Sequence, residues 1–364
     1  MSEMKHTWTK EEILAIYNQP LMDLLFDAAT THRVHHDPNT VQVSTLLSIK
    51  TGGCPEDCGY CPQAARYHTD IEGNDLMSVR QVKAQALRAK ASGSSRVCMG
   101  AAWRNVKDGE EFDQVLEMVR TINKLDMEVC CTLGMITENQ AQRLAEAGLY
   151  AYNHNLDSSE EYYKEVISTR GYEDRLETID NVRKTNVTVC SGGIIGMGEK
   201  AEDRAGMLVA LATLNPQPES VPINALVAVE GTPLEDQTPV SIWDMVRMVA
   251  TTRIVMPETQ VRLSAGRTEM SREGQAMCFF AGANSIFAGD KLLTTPNPDV
   301  GEDMEMFKLL GLNPQKPFVK KSQPATVEAD QSEYAALGEK PKWTRPKHKI
   351  ERNEEAKKNA KVLK

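Results

Sequence analysis

The stretch VQVSTLLSIKTGGCPEDCGYCPQ, residues 41–63, decides the fold. Its first part, VQVSTLLSI (41–49), has the β-branched content and the length of a strand. Three cysteines then crowd into eight positions: Cys54, Cys58 and Cys61. A strand that runs into metal-ligating side chains delivers them to its C-terminal end. That is the mouth at which parallel α/β barrels build their active sites.

Outward from this strand, helix and strand candidates alternate. Helix 78–91, with Ser78 as its N-cap, precedes strand 96–100; 110–124 precedes 127–134; 137–147 precedes 149–157. Helix 173–185 precedes 187–193, 201–214 precedes 221–229, 239–255 precedes 260–266, and 269–281 precedes 284–289. One strand and one helix in each unit of roughly 30 to 40 residues means βαβ units and a parallel sheet. Eight strand candidates favour a closed (β/α)8, TIM-type barrel over residues 41–320. An open doubly wound sheet stays as the alternative, because spacing does not show closure; no Gly-rich dinucleotide fingerprint follows the first strand to support it. Residues 1–40 read as a helical extension interrupted at Pro20, and residues 321–364 as a charged, lysine-rich tail expected to be disordered. Its last part, 339–364, holds ten Lys or Arg against four Glu, so a nucleic-acid or partner-binding tail is the competing reading.

Composition excludes several classes. A net charge of −9 gives no general affinity for nucleic acid or an anionic membrane. No apolar run approaches the roughly 20 residues of a membrane span. The start, MSEMKHTWTKEEI, has neither the apolar core of a secretory signal nor the acid-poor character of a transit peptide, so the expected location is cytoplasmic. Eight cysteines in such a chain point to metal binding or catalysis before disulfides.

The spacing C-x-x-x-C-x-x-C fits neither the paired C-x-x-C of zinc sites nor the ferredoxin patterns. Three thiolates on a cubane iron–sulfur cluster leave one iron open to a substrate or cosubstrate; closure by a distant fourth ligand such as His68 or Cys98 is the alternative. Cys98, Cys130 and Cys190 each lie within a different strand candidate, and inward residues of separate barrel strands can converge on one point. Each alone reads as a small buried hydrophobe; together they read as a second metal site. Arg262, mid-strand, needs an anionic partner, either a cluster or a carboxylate. Asn153, Asn155 and Asp157 fall on one face at the end of YNHNLD, suited to a polar ligand or to a turn, while His154 should point away and pack. The glycines of SGGIIGMGE could let backbone approach a ligand. HRVHH (32–36) reads as a polar segment before the first strand rather than a metal cluster.

The three-cysteine spacing, with Tyr60 before the last thiol, resembles the radical S-adenosylmethionine superfamily. SIKTGGCPEDCGYCPQAARY, VCMGAAWRN, YNHNLD, VCSGGIIGMGE, ESVPINALV, VRLSAGR and AGANSIFAGDKLLTTPNP are similar to its sulfur-inserting branch that converts dethiobiotin to biotin, over about residues 10–318. The resemblance implies a 4Fe–4S cluster on Cys54, Cys58 and Cys61 whose open iron chelates S-adenosylmethionine, cleaved to methionine and a 5′-deoxyadenosyl radical. It implies a 2Fe–2S cluster on Cys98, Cys130, Cys190 and Arg262 as the sulfur source. It places Asn155, Asp157 and Arg175 on S-adenosylmethionine or the substrate and Asn224 on dethiobiotin, and it implies a reducing electron donor protein and a homodimer. Cys131 departs from the pattern: adjacent strand residues face opposite sides, and the alignment of CCTLG favours Cys130 as the ligand. Another member of the superfamily acting on a different substrate is one alternative, and a non-catalytic iron–sulfur or zinc protein is another.

Overall fold

The structure, a computed structural model, describes residues 5–289 and 291–316. The expected tail, 321–364, lies outside the described residues. Two helices open the chain, α1 (Lys10–Tyr17) and α2 (Leu21–His35). The break falls where the sequence put it: Pro20 lacks an N–H and becomes the N-cap of α2.

The strands are β1 (Thr40–Lys50), β2 (Arg96–Ala101), β3 (Glu128–Thr132), β4 (Ala151–Asn153), β5 (Thr188–Cys190), β6 (Gly193–Ile195), β7 (Ser220–Ala225), β8 (Gln260–Leu263) and β9 (Ser285–Ala288). Neighbours pair in parallel in chain order, and β9 pairs back onto β1 from Gln42↔Ser285 to Thr45↔Ala288, which closes the barrel. The fifth stave is split. Both β5 and β6 pair with β7, and Ser191 and Gly192 turn the chain between them. Only a glycine fits at 192, because a Cβ there would meet the Pro222 carbonyl oxygen at 2.1 Å.

The helices between strands are α3 (Val79–Ala91), α4 (Glu110–Asn123), α5 (Glu138–Glu146), α6 (Glu160–Val166), α7 (Tyr172–Arg183), α8 (Ala201–Ala212), α9 (Ile242–Val255), α10 (Arg272–Phe280) and α11 (Val300–Leu310). Ser78 caps α3 by accepting from Gln81 N, as expected. The reading from sequence missed α6 and α11. The first is barely two turns of EEYYKEV, and the second follows a long irregular segment. A short β10 (Asn313–Pro314) pairs with Thr40 and Val41 beside the N-terminal end of β1.

Alternation sorts each strand's residues between two cores. Val97, Met99, Val129, Cys131, Val221, Ile223, Val261 and Leu263 pack outward in the main apolar core, which includes residues of the surrounding helices. Leu46, Cys98, Cys130, Cys190 and Phe287 belong to a separate inner cluster. Deeper in the barrel the filling is polar. Arg96 donates Nε to Glu128 Oε2 at 2.8 Å, and through both terminal nitrogens to Glu219 at 2.9 and 3.2 Å. HRVHH departs from its expected reading. His32 and His36 are buried; the His36 ring lies against Arg253 and bonds Asn284 through Nδ1 and the Pro257 carbonyl through Nε2, so these rings seal α2 against the barrel's foot.

Arg267 ties α11 to the barrel: it pairs with Asp303, donates to Phe287 O at 3.0 Å and bonds Gln275 Oε1 at 3.1 Å. Both members of the ion pair are buried. Arg267→Met strands the Asp303 carboxylate and should cost about 3 to 5 kcal/mol. A fall in the denaturant midpoint checks this, and most of it should return in the Arg267→Met/Asp303→Leu double variant.

Candidate active site

The cysteine loop leaves β1 and is shaped by its own backbone. Cys54 N donates to Gln63 O at 3.0 Å, Ala65 N to Cys54 O at 2.8 Å and Cys61 N to Cys58 O at 2.9 Å. Asp57 fastens the loop to the segment between α6 and α7. Its carboxylate accepts from the backbone nitrogens of Ser168 and Thr169 at 3.0 Å each, from Thr169 Oγ1 at 2.8 Å and from the Ser168 hydroxyl. Gly59 N adds a bond to Val166 O at 2.9 Å. The same segment carries Arg170, whose Nη2 lies 3.8 Å from Cys58 Sγ.

Cys54, Cys58 and Cys61 line one cavity of about 260 Å³ together with Cys98, Cys130, Asn155, Asp157, Arg175, Asn224 and Arg262. Burial pushes all three loop thiols up, Cys61 to about 12. A thiolate there therefore needs positive charge beside it, which a bound metal would supply and Arg170 would supplement. Among the described residues no group of three or more His, Cys, Asp or Glu side chains stands close enough to hold a single metal ion. The donor set, soft sulfur with no carboxylate among its members, suits an iron–sulfur cluster in kind.

Asp157 sits at φ 68, a left-handed conformation costly for a residue with a side chain. Its carboxylate is held by Tyr60 Oη at 2.7 Å and by the Arg175 guanidinium, both members of the ion pair being buried. Asn155 Oδ1 accepts from Asn153 Nδ2 at 3.0 Å and from Gly192 N at 3.2 Å. Asn224 Nδ2 donates to Gly193 O at 2.9 Å and its Oδ1 accepts from Ala265 N at 3.1 Å, so backbone engages both ends of that amide. His154 does not simply pack away: β4 ends at Asn153, alternation lapses there, and His154 joins the cavity wall. Burial, then the charges of Arg175 and Arg170, hold its pKa well below the ordinary histidine value.

The deeper set comes from strands. Cys98 and Cys130 are register partners on β2 and β3, and Cys190 joins them in the inner cluster. The neighbouring Cys130 thiol pulls Cys98 and Cys190 down, with Arg262 helping, while Cys130 is held well up. Cys131 faces the outer core, as the alternation argument expected, and burial keeps it a protonated thiol. Arg262 lies 3.8 Å through Nη1 from Cys190 Sγ. Among the described residues it forms no ion pair with a carboxylate, and its other donors meet Ser285, Gln42 and Ser44. Reasoning from sequence missed Arg170, the Tyr60 bond to Asp157 and the Asp57 clamp; the acidic pair in PEDC between two cysteines was the available signal for the last.

A closed parallel barrel whose first strand delivers a three-thiol loop to its mouth defines the radical S-adenosylmethionine class, and residues 48–211 match the Radical SAM superfamily. Residues 222–313 match the Biotin and Thiamin Synthesis associated domain. The chain belongs to the biotin synthase family. It is 86% identical to the biotin synthase of Christiangramia forsetii over 99% of both chains, and 85% identical to that of Flavobacterium psychrophilum over 97% of this chain and 98% of the other. The biotin synthase of Nostoc punctiforme is 57% identical over 90% of this chain and 98% of its own. The barrel is also similar in fold to methylornithine synthase (TM-score 0.70, 18% identity, 90% of this chain and 96% of that one). The same holds for the FeFe-hydrogenase maturase HydG from Carboxydothermus hydrogenoformans (TM-score 0.72, 16% identity, 84% and 76%). Membership makes the chain a radical enzyme and implies S-adenosylmethionine and a 4Fe–4S cluster.

Burial raises the Asp57 carboxyl, but its bonds to Ser168 and Thr169 outweigh that and hold it well below the usual carboxylate range. Its contribution to stability is therefore fully present above the unfolded value of about 3.9 and is lost progressively as pH falls from there through the lowered folded value. Asp57→Asn should speed amide exchange at Ser168 and Thr169 roughly tenfold or more near neutral pH. In the native protein, protection of the same amides should survive acidification through the ordinary carboxylate range.

Proposed function

We propose that this chain converts dethiobiotin to biotin by radical sulfur insertion. One observation carries the reading: a single cavity is lined by the loop thiols Cys54, Cys58 and Cys61 and, deeper, by Cys98, Cys130 and Arg262. A radical made at the first set and a sulfur atom held at the second would both reach a substrate lying between them.

Cys54, Cys58 and Cys61 would hold the 4Fe–4S cluster, and Cys98, Cys130, Cys190 and Arg262 a 2Fe–2S cluster. When bound, these groups and S-adenosylmethionine supply the 5′-deoxyadenosyl radical and the sulfur. The chain's own residues orient and exclude. Arg175 and Tyr60 fix the Asp157 carboxylate, which with Asn155 offers acceptors to the hydroxyls and amine of S-adenosylmethionine. Asn224, its amide engaged by Gly193 O in β6 and by Ala265 N after β8, would meet dethiobiotin. Trp103, Phe287 and Leu293 give the cavity apolar walls that keep water from the reacting carbons. A reducing donor protein and a homodimer belong to the same proposal, supported by family membership. So does a cytoplasmic location, supported by eight free thiols. No helix among the described residues is long and apolar enough to cross a membrane.

Anaerobic reconstitution with iron and sulfide, followed by reductant, S-adenosylmethionine and dethiobiotin, tests this. Biotin and 5′-deoxyadenosine are expected. Deoxyadenosine without biotin, with both clusters verified, overturns the substrate; absence of deoxyadenosine overturns the radical chemistry. Iron analysis checks the strand register. Cys130→Ala should lose the iron of the second cluster and all biotin formation, whereas Cys131→Ala should keep both.

A further inference from the structure

Arg262 is held almost entirely by neutral acceptors. Its Nε donates to Ser285 Oγ at 2.8 Å, and its Nη2 donates to Gln42 Oε1 at 2.9 Å and more weakly to Ser44 Oγ at 3.5 Å. The Ser285 hydroxyl donates to the same Gln42 oxygen at 3.1 Å. Nη1 is thereby left for Cys190. The face of the guanidinium lies over the Phe287 ring, 4.7 Å from its centre, which fixes the plane of the fork.

Carboxylates are close by. Gln42 Nε2 faces Glu128 Oε2 at 3.5 Å, and Glu128 and Glu219 are both engaged by Arg96. Gln42 therefore stands between an anion and a cation with its amide oriented by both, oxygen towards Arg262 and nitrogen towards Glu128. A guanidinium that can reach a carboxylate closes on it with two parallel bonds. Were Arg262 to meet a carboxylate here, its fork would turn to it and away from the thiols. An amide oxygen accepts one edge and leaves the other directed.

We propose that Gln42 is a positioning residue that aims Arg262 Nη1 at the Cys98, Cys130 and Cys190 thiols by separating it from the Arg96–Glu128–Glu219 group. This rests on the reading of those thiols and Arg262 as ligands of the second cluster.

The test uses reconstituted holoenzyme carrying both clusters by iron and sulfide count, in the native form and as Gln42→Glu, Gln42→Met, Arg262→Met and the corresponding doubles. Resonance Raman bands of the 2Fe–2S iron–sulfur stretches are the readout, and retention of the 4Fe–4S cluster is the folding control. Gln42→Glu is expected to shift the 2Fe–2S bands in the direction that Arg262→Met shifts them, and to add nothing in the Arg262→Met background. Native-like bands in both Gln42 variants, or a shift that persists in full without Arg262, overturn the proposal. Should Gln42→Glu not hold the second cluster, Gln42→Met decides by the same comparison. If Arg262→Met itself leaves the bands unchanged, the ligand reading has failed and the role of Gln42 falls with it, a result distinct from silence at Gln42 alone.

Discussion

The contact on which the interior depends is the clasp of Arg96 on two carboxylates, Glu128 and Glu219, inside a closed barrel. Parallel barrels usually fill their centres with layers of branched aliphatic side chains. Here the lower centre holds ions, and burying unpaired charge would cost several kcal/mol per group. Burial opposes the charge on Arg96, but the two glutamates outweigh it, and the guanidinium also lies over the Tyr150 ring at 4.8 Å. With both acids occupied, Arg262 can face sulfur. Had the same space been filled with leucine, the barrel would have gained packing and lost a polar floor for the thiols above it.

Two kinds of support hold the two thiol sets. Cys98, Cys130 and Cys190 are strand residues, locked by the hydrogen-bond ladder and by register. Cys54, Cys58 and Cys61 sit on a loop, and its shape is set by local backbone bonds and the clamp to the α6–α7 segment. The left-handed Asp157 stands between them, and its strain is compatible with the buried bonds from Tyr60 and Arg175 that over-determine it.

Much of this was legible in the sequence, for identifiable reasons. All eight staves were visible because parallel strands covered by helices read as β-branched runs between helical repeats. The loop thiols were noticeable because their spacing is local; alternation said that Cys130 and Cys131 face opposite sides, and only the resemblance chose Cys130 as the inward one. Legibility stopped where contacts come from distant staves. Nothing in VRLSAG announces that Arg262 will bond to Gln42, 220 positions away. It also stopped where a strand is too short to carry its period: β4 has three residues, so His154, Asn155 and Asp157 obey loop geometry instead. Two histidines of HRVHH, His32 and His36, looked polar and are buried; a neutral His36 ring can accept from the Asn284 amide through Nδ1 and donate to the Pro257 carbonyl through Nε2.

Asp57 gives the cysteine loop a second consequence. The bonds that fasten the loop run from protein to protein, through a carboxylate, two backbone nitrogens and two hydroxyls, and none of them passes through sulfur. The outline of the loop is therefore set by protein alone and does not depend on what its thiols hold. Loading or emptying those thiols becomes a local event rather than a folding one.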